Sequence, residues 1–145
     1  MKVLLVHPHE VFSEEEPWTS RILNIALQLT YSGHDVKLVH FPLRDNPVNQ
    51  AYKYKDIEII PLSRKLGVGI FFRNIIRLCK LAKWADIVHF QKCYYYSAIP
   101  SLLAAFISDK PVHYDWDDWE FKIYFYPKRQ SKLTGLFLWL LEFLL

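Results

Sequence analysis

The segment HYDWDDWE, residues 113–120, combines three aspartates with two tryptophans. It follows Lys110 and Pro111, a break that is typical of the start of a new strand. Because charged side chains are rarely buried without a partner, we expect the aspartates to line a cleft where that strand ends. A carboxylate in such a cleft can orient a hydroxyl group or act as a general base. The candidate catalytic residues are therefore Asp117 and Asp118, and the candidate substrate-binding residues are Asp115, Trp116 and Trp119.

Two other interpretations of this acidic segment stay open. One of the aspartates could cap the next turn of the chain. Three neighbouring carboxylates could also bind a divalent cation. The six histidines and two cysteines do not form ligand pairs at the spacing of a zinc finger, so we predict no bound metal.

Histidine and aromatic side chains follow two other predicted strands. His9 and His89 lie at strand ends, where a histidine can hydrogen-bond a ligand or act as a neutral base. Each could instead be a structural histidine, which is how we interpret the remaining four, His7, His34, His40 and His113. Tyr94 could stack on a sugar ring or pack within its loop. We predict that His9, His89, Gln91 and Tyr94 bind substrate.

The elements that position these residues alternate along the chain. Short apolar runs predict strands at residues 2–6, 36–41, 57–60, 86–90 and 111–115. Helical spacing predicts helices between Pro17 and Gly33 and at residues 70–84, 97–108 and 131–145, with a loop at 43–56. This alternation predicts a doubly wound α/β fold with a parallel sheet, strand order 3-2-1-4-5 and helices on both faces. Ligands of such sheets bind at the carboxyl ends of the strands.

The composition is that of a globular protein with a single domain over residues 1–145. Hydrophobic residues make up 52% of the chain and charged residues 23%. The net charge is +3, and the excess of basic residues lies between Lys53 and Lys92. No nucleic-acid-binding motif accompanies it, so we predict no nucleic-acid partner. The absence of a secretory signal and of a CxxC pair predicts a cytoplasmic protein with reduced thiols.

Two segments suggest contact with a membrane surface. Arg73, Arg77 and Lys80 recur at helical spacing on one face, whereas another face, expected to pack on the sheet, carries Phe72, Ile75, Ile76, Cys79 and Ala82. A basic amphipathic helix can lie on an anionic membrane, although its basic face could simply be solvated. Residues 128–145 are basic and then apolar, and the apolar part, residues 133–145, is too short to span a bilayer. We predict an interdomain or membrane contact there, and a peripheral location at the inner face of the membrane.

Several phrases stand in a fixed order, namely KVLLV, YSGHDV, ADIVHFQ, an alanine-rich helix and KPVHYDWDD. Over about residues 1–120 this set resembles the N-terminal domain of GT-B glycosyltransferases close to family 4. The resemblance implies a Rossmann-like, acceptor-binding domain of an enzyme that transfers a sugar to a glycan or lipid-linked acceptor. It also implies a donor-binding domain, on the same or a separate chain, that holds a nucleotide sugar as co-substrate, with no tightly bound cofactor.

The chain departs from that family in three respects. The loop after the first strand has no glycine pair, and its three glutamates, residues 14–16, would repel phosphate. Asp117 stands where many members have histidine. No donor domain follows, so this chain alone is expected to be an inactive half. The alternatives are a non-catalytic membrane-recruiting subunit of a split glycosyltransferase and another Rossmann-like nucleotide-binding domain, although no GxGxxG motif follows the first strand.

Overall fold

A computed structural model describes residues 1–13, 18–42, 50–116, 122 and 132–144. Within these ranges the strands are β1 (Lys2–His7), β2 (Asp35–His40), β3 (Tyr52–Tyr54), β4 (Ile57–Pro61), β5 (Ile87–Gln91) and β6 (Val112–Asp115). The helices are α1 (Trp18–Tyr31), α2 (Val68–Trp84), α3 (Tyr95–Ile107) and α4 (Lys132–Leu144).

The strands form one sheet in the order β3-β4-β2-β1-β5-β6. All neighbouring strands are parallel except β3 and β4, which pair antiparallel. The predicted doubly wound α/β fold is therefore confirmed. The predicted strand order differs in one detail, because Tyr52–Tyr54 lies in the segment that we expected to be a loop. This strand turns into β4 through Lys55, whose φ of 53° is a left-handed conformation.

Helices cover both faces of the sheet, and the side chains of β1 alternate between them. Leu4 and Val6 belong to the core under α2 and α3. Val3 and Leu5 belong to a second core under α1. Because successive residues of a strand point to opposite faces, burial on both sides requires a continuous apolar run. This requirement explains the sequence KVLLV at the centre of the sheet.

Helix α2 is rotated relative to our expectation from its sequence. Its buried residues are Asn74, Leu78 and Ala82. Of the residues expected to pack on the sheet, Ala82 is buried and Cys79 packs against the core, as predicted. Phe72 and Ile76 are each 58% exposed, so the expectation is wrong for these two. The Asn74 Nδ2 atom donates a hydrogen bond of 2.8 Å to the Ser63 carbonyl, which holds this polar residue on the buried side. The rotation leaves a mixed apolar and basic surface in solvent.

The ends of two helices test the predicted boundaries. Helix α1 ends before Gly33, whose φ of 80° suits the glycine expected there. Helix α3 begins at Tyr95, two residues earlier than expected, so that Pro100 lies inside the helix instead of in its first turn. Within the described ranges, no helix is long and apolar enough to cross a membrane.

Helix α4 lies in the segment 128–145, for which we predicted an interdomain or membrane contact. Its Leu138 side chain is buried against Cys93. Leu133 and Phe143 are 79% and 76% exposed. Residues 128–131 lie outside the described residues, and the predicted contact stays a prediction.

Candidate functional site

Four adjacent strands carry polar side chains at their carboxyl ends, and we call this set the polar row. Its members are His40, His7, Gln91 and Asp115, on β2, β1, β5 and β6. The sheet register pairs His7 with His40 and Gln91 with Asp115. His40, His7 and Gln91 lie on the face that α1 covers, because they are an even number of residues from apolar side chains of that core. Asp115 lies on the same face, where it contacts Arg21 of α1. They are also buried, none of them more than 8% exposed.

Hydrogen bonds join three members of the polar row to α1. The Gln91 Nε2 atom donates to Asp115 Oδ2 over 2.9 Å. The Arg21 Nη2 atom, from α1, donates to Asp115 Oδ1 over 2.7 Å. On the other side, Gln91 Oε1 lies 2.8 Å from His7 Nδ1. These contacts form a chain that runs from the surface of α1 to the centre of the sheet.

The chain fixes the protonation of His7. An ionised carboxylate only accepts hydrogen bonds, so Asp115 requires the NH₂ group of Gln91 to face it. The amide oxygen of Gln91 then faces His7, and Nδ1 of His7 must carry the hydrogen. The Nε2 atom of His7 is left with a lone pair, buried and without a hydrogen-bond partner among the described residues.

The histidines at this edge are neutral at pH 7. Burial lowers the pKa of both His7 and His40 to about 4. Burial, followed by the charges of His7, Arg64 and Lys92, lowers the pKa of His9 to about 3. These imidazoles therefore act as hydrogen-bonding groups and not as cations.

The carboxyl ends of β1 and β5 form the point at which the direction of the strand order reverses. Helix α1 leads from β1 to β2 on one side, and α3 leads from β5 to β6 on the other. Open α/β sheets bind ligands in the crevice at this point. His9 and Tyr94 lie here, with ring centroids 5.1 Å apart in an edge-on arrangement. We call this place the switch-point crevice.

Two cationic side chains flank the switch-point crevice. The guanidinium of Arg64 lies 5.0 Å from the ring centroid of Tyr96. The hydroxyl of Tyr96 donates to the Pro8 carbonyl over 3.1 Å, which brings Arg64 to the loop that follows β1. Lys92 is buried and has a φ of 61° at the end of β5. Both positive charges contribute to the lowered pKa of His9, which places them near its ring.

The Arg64 guanidinium has an unused donor. Its Nη1 atom is buried and has no hydrogen-bond partner in the part of the chain that the structure describes. A buried donor without an acceptor is costly, more so when it is charged. An anionic group that enters the crevice would supply such an acceptor.

The structure brings together several of the predicted substrate-binding residues. His9, which is buried, and Tyr94 lie at the switch point, and Gln91 and Asp115 belong to the polar row beside it. Trp116 follows β6 directly and is 55% exposed. The predicted residues Asp117, Asp118 and Trp119 lie outside the described residues.

His89 lies two residues before Gln91, on the same face of the sheet. Its ring stacks on that of His113 with centroids 4.9 Å apart. Its Nε2 atom is 3.9 Å from Asp115 Oδ2. Burial is the main cause that lowers its pKa to about 4. His89 thus lies next to Asp115 of the polar row. Its predicted role in substrate binding stays a prediction.

Sequence reasoning missed the residues that organise this edge. His7 and His40 were interpreted as structural, although their position at the ends of two apolar runs could have predicted a place beside the crevice. Arg21, Arg64 and Lys92 showed no pattern that separates them from other basic residues. The predicted membrane-contact residues Arg73, Arg77 and Lys80 lie on α2, outside the crevice.

Among the described residues, no group of histidine, cysteine and carboxylate side chains is arranged to hold a metal ion.

Comparisons with known proteins do not identify a family for this chain. No protein-family profile matches the chain. No curated protein matches it either. Among solved structures, the chain is similar to the C-terminal domain of a hydrogenase from Pyrococcus furiosus, with 14% identity, a TM-score of 0.49, and coverage of 79% of this chain and 91% of that domain. So distant a likeness carries no functional argument.

These comparisons overturn the resemblance that we inferred from the ordered sequence phrases. No family profile supports a GT-B glycosyltransferase, and the structural neighbour described above is a hydrogenase domain. The phrases KVLLV, SGHDV and ADIVH describe strand and helix ends that many α/β sheets need, so they do not identify a family. The assignment to the N-terminal domain of GT-B glycosyltransferases is wrong, and what remains is a mostly parallel α/β sheet of Rossmann-like type.

Proposed function

We propose that this domain binds a small phosphorylated ligand in the switch-point crevice. The observation that supports this most directly is the buried Nη1 donor of Arg64 beside His9. Guanidinium groups form strong, geometrically defined hydrogen bonds with phosphate oxygens. Lys92 adds a second positive charge at the same place.

The first turn of α3 supports an anion in the same crevice. The helix begins at Tyr95, three residues after Lys92, and no acidic residue lies in its first turn. The first amide groups of a helix have no partner within the helix and favour a negative charge. Because the neighbouring imidazoles are neutral at pH 7, they accept or donate hydrogen bonds without adding charge.

The ligand class is a mononucleotide or a sugar phosphate. The chain lacks the GxGxxG motif that favours a dinucleotide. The Tyr94 ring beside His9 is an aromatic surface on which a base or a sugar ring can stack. A nucleotide sugar, predicted from the sequence as a co-substrate, belongs to the same chemical class and is one of the ligands to be tested.

Binding is tested by calorimetric titration of the protein with inorganic phosphate, uridine monophosphate, a uridine diphosphate sugar, glucose 1-phosphate and glucose. We expect binding of phosphorylated compounds, weaker at high salt, and no binding of glucose. Arg64→Gln should weaken binding by about tenfold or more, equivalent to about 1.4 kcal/mol. Arg73→Gln, which changes an exposed arginine on α2, is the matched control and should leave binding unchanged.

Two results would contradict the proposal. One is the absence of binding by every phosphorylated compound. The other is equal binding by the Arg64→Gln and Arg73→Gln proteins, since the crevice would then not be the site.

Whether a bound ligand also reacts is a separate question. Sugar transfer, with Asp117 and Asp118 as catalytic groups, stays a prediction that the described residues do not test. It would require a second, donor-binding domain, and Asp117→Ala in the reconstituted pair should abolish transfer if this carboxylate is the base. A cytoplasmic location likewise stays a prediction.

A further inference from the structure

Helix α2 presents apolar side chains to solvent. Phe72 and Ile76 lie one turn apart and are each 58% exposed. Leu66, in the loop before the helix, is 83% exposed, and Val68, the first residue of α2, is 75% exposed. We call these four residues the apolar strip. Single exposed apolar residues are common, but four of them along one helix and its entry loop indicate a contact surface.

Basic side chains accompany the apolar strip. Arg73, Lys80 and Lys83 are exposed on α2 and lie on the same solvent-facing side of the helix. The helix, residues 68–84, contains no aspartate or glutamate. The strip is therefore bordered by positive charge that no acidic side chain of the helix neutralises.

We propose that this surface of α2 binds an anionic lipid bilayer, with the apolar strip at the acyl boundary and the lysine and arginine side chains on the headgroups. A helix that lies in the membrane interface combines an apolar side with a basic one. Long basic side chains bury their methylene groups along apolar surface while their charged ends stay among polar groups. Each lysine or arginine near an anionic surface adds a favourable electrostatic contribution.

The apolar strip favours lipid over the other anionic surfaces. A nucleic acid would neutralise the basic residues but would leave Phe72 and Ile76 in water. The sequence alone had assigned the basic residues to a membrane contact and these two apolar residues to the core. The hydrogen bond of Asn74 keeps α2 in an orientation that exposes Phe72 and Ile76. These side chains can insert into a bilayer, which a purely electrostatic contact does not involve. The proposal goes beyond the ligand crevice and does not depend on it.

The test is co-sedimentation with vesicles of phosphatidylcholine that contain phosphatidylglycerol, compared with vesicles of phosphatidylcholine alone. We expect binding to the anionic vesicles only, with an affinity that falls as salt rises. A Phe72→Ser and Ile76→Ser double variant should bind about tenfold or more weakly. An Arg73→Gln and Lys80→Gln double variant should also bind about tenfold or more weakly, with a smaller salt dependence.

The chain offers a matched control for each double variant. Phe106→Ser changes a side chain on α3 that is 86% exposed, and Lys53→Gln changes an exposed lysine on β3. Neither should alter vesicle binding. Far-ultraviolet circular dichroism and thermal unfolding check that the double variants fold.

Three outcomes would overturn the proposal. Vesicle binding could survive both double variants, or Phe106→Ser could lower it as much as the α2 variants do. Alternatively, the protein could ignore vesicles and bind short duplex DNA or an acidic protein through Arg73 and Lys80, which would identify a different partner.

Discussion

Gln91 connects Asp115, which contacts Arg21 on α1, to His7 at the centre of the sheet. Its amide group satisfies Asp115 on one side and His7 on the other. Because a carboxylate cannot donate, no other orientation of this amide satisfies both neighbours. One side chain thus fixes both the orientation of the network and the tautomer of the histidine beside the crevice.

Replacing this amide by a carboxylate should damage the fold. Gln91→Glu places a second acidic group against Asp115 in a buried environment, and it removes the donor to Asp115 Oδ2. We expect the free energy of unfolding to fall by about 3 kcal/mol, as measured by urea denaturation. Gln50→Glu, at an exposed position, makes the same chemical change as a control and should alter stability by less than about 0.5 kcal/mol. Similar losses in both proteins would show that the network does not contribute to stability.

The buried histidines make stability depend on pH. The pKa of His7 and of His40 is lowered to about 4, so the unfolded chain binds more protons than the folded one between about pH 4 and 6.5. The stability that these two neutral histidines contribute is fully present above the pKa of the unfolded chain, about 6.5. It is lost as the pH falls towards their pKa in the folded protein, about 4. At pH 5.5 the loss is about 1 kcal/mol for each histidine.

Thermal unfolding at pH 7 and pH 5.5 measures this effect. The melting temperature should fall at the lower pH, and His40→Gln should reduce the size of that fall. Gln28→Ala, which removes a side chain without a titratable group at an exposed position on α1, is the control and should leave the pH dependence unchanged. An equal melting temperature at both pH values would contradict the neutral, buried state of these histidines.

At the scale of elements, Asn74 sets the rotation of α2. The helix contains enough apolar residues to bury more than one side, so periodicity alone does not select the buried one. The hydrogen bond from Asn74 Nδ2 to the Ser63 carbonyl ties the helix to the loop after β4. A polar residue therefore decides which apolar residues reach solvent.

Removing that hydrogen bond should loosen the helix. Asn74→Ala leaves the Ser63 carbonyl without its donor, and we expect a loss of about 1–2 kcal/mol in the free energy of unfolding. Asn24→Ala, at an exposed position on α1, removes the same side chain without breaking a buried contact. If both variants lose the same stability, the rotation of α2 has another cause.

Continuous apolar runs predicted the strands that are buried on both faces, as KVLLV did for β1. The sequence did not predict β3, because Tyr52–Tyr54 is exposed at the edge of the sheet and its alternation is too short to detect. His7 was interpreted as structural, and its buried hydrogen bond to Gln91 fits that interpretation, but the sequence could not show that Gln91 and Asp115 continue the same network. The role of Arg64 depends on a contact with Tyr96 between distant parts of the chain, which spacing cannot show.

At the scale of the whole molecule, the two proposed surfaces lie near each other. Helix α2 runs back from the carboxyl edge of the sheet, so its first residues lie at the same edge as the switch-point crevice. Arg64 and Leu66 are two residues apart in the chain. A domain that docked through α2 would bring its crevice close to the lipid headgroups. A phosphorylated ligand that is attached to a lipid would satisfy both proposals.

The short strand β3 has a consequence for assembly. A parallel sheet that ended at β4 would leave a long row of unpaired backbone groups, onto which another chain could add. β3 covers that edge with three residues only, and Lys53 and Lys55 stand at its outer side and turn. Short edge strands with lysine are one way in which proteins prevent strand addition. The hairpin thus protects the concentrated protein against edge-to-edge aggregation, and it does so at the end of the sheet farthest from β6.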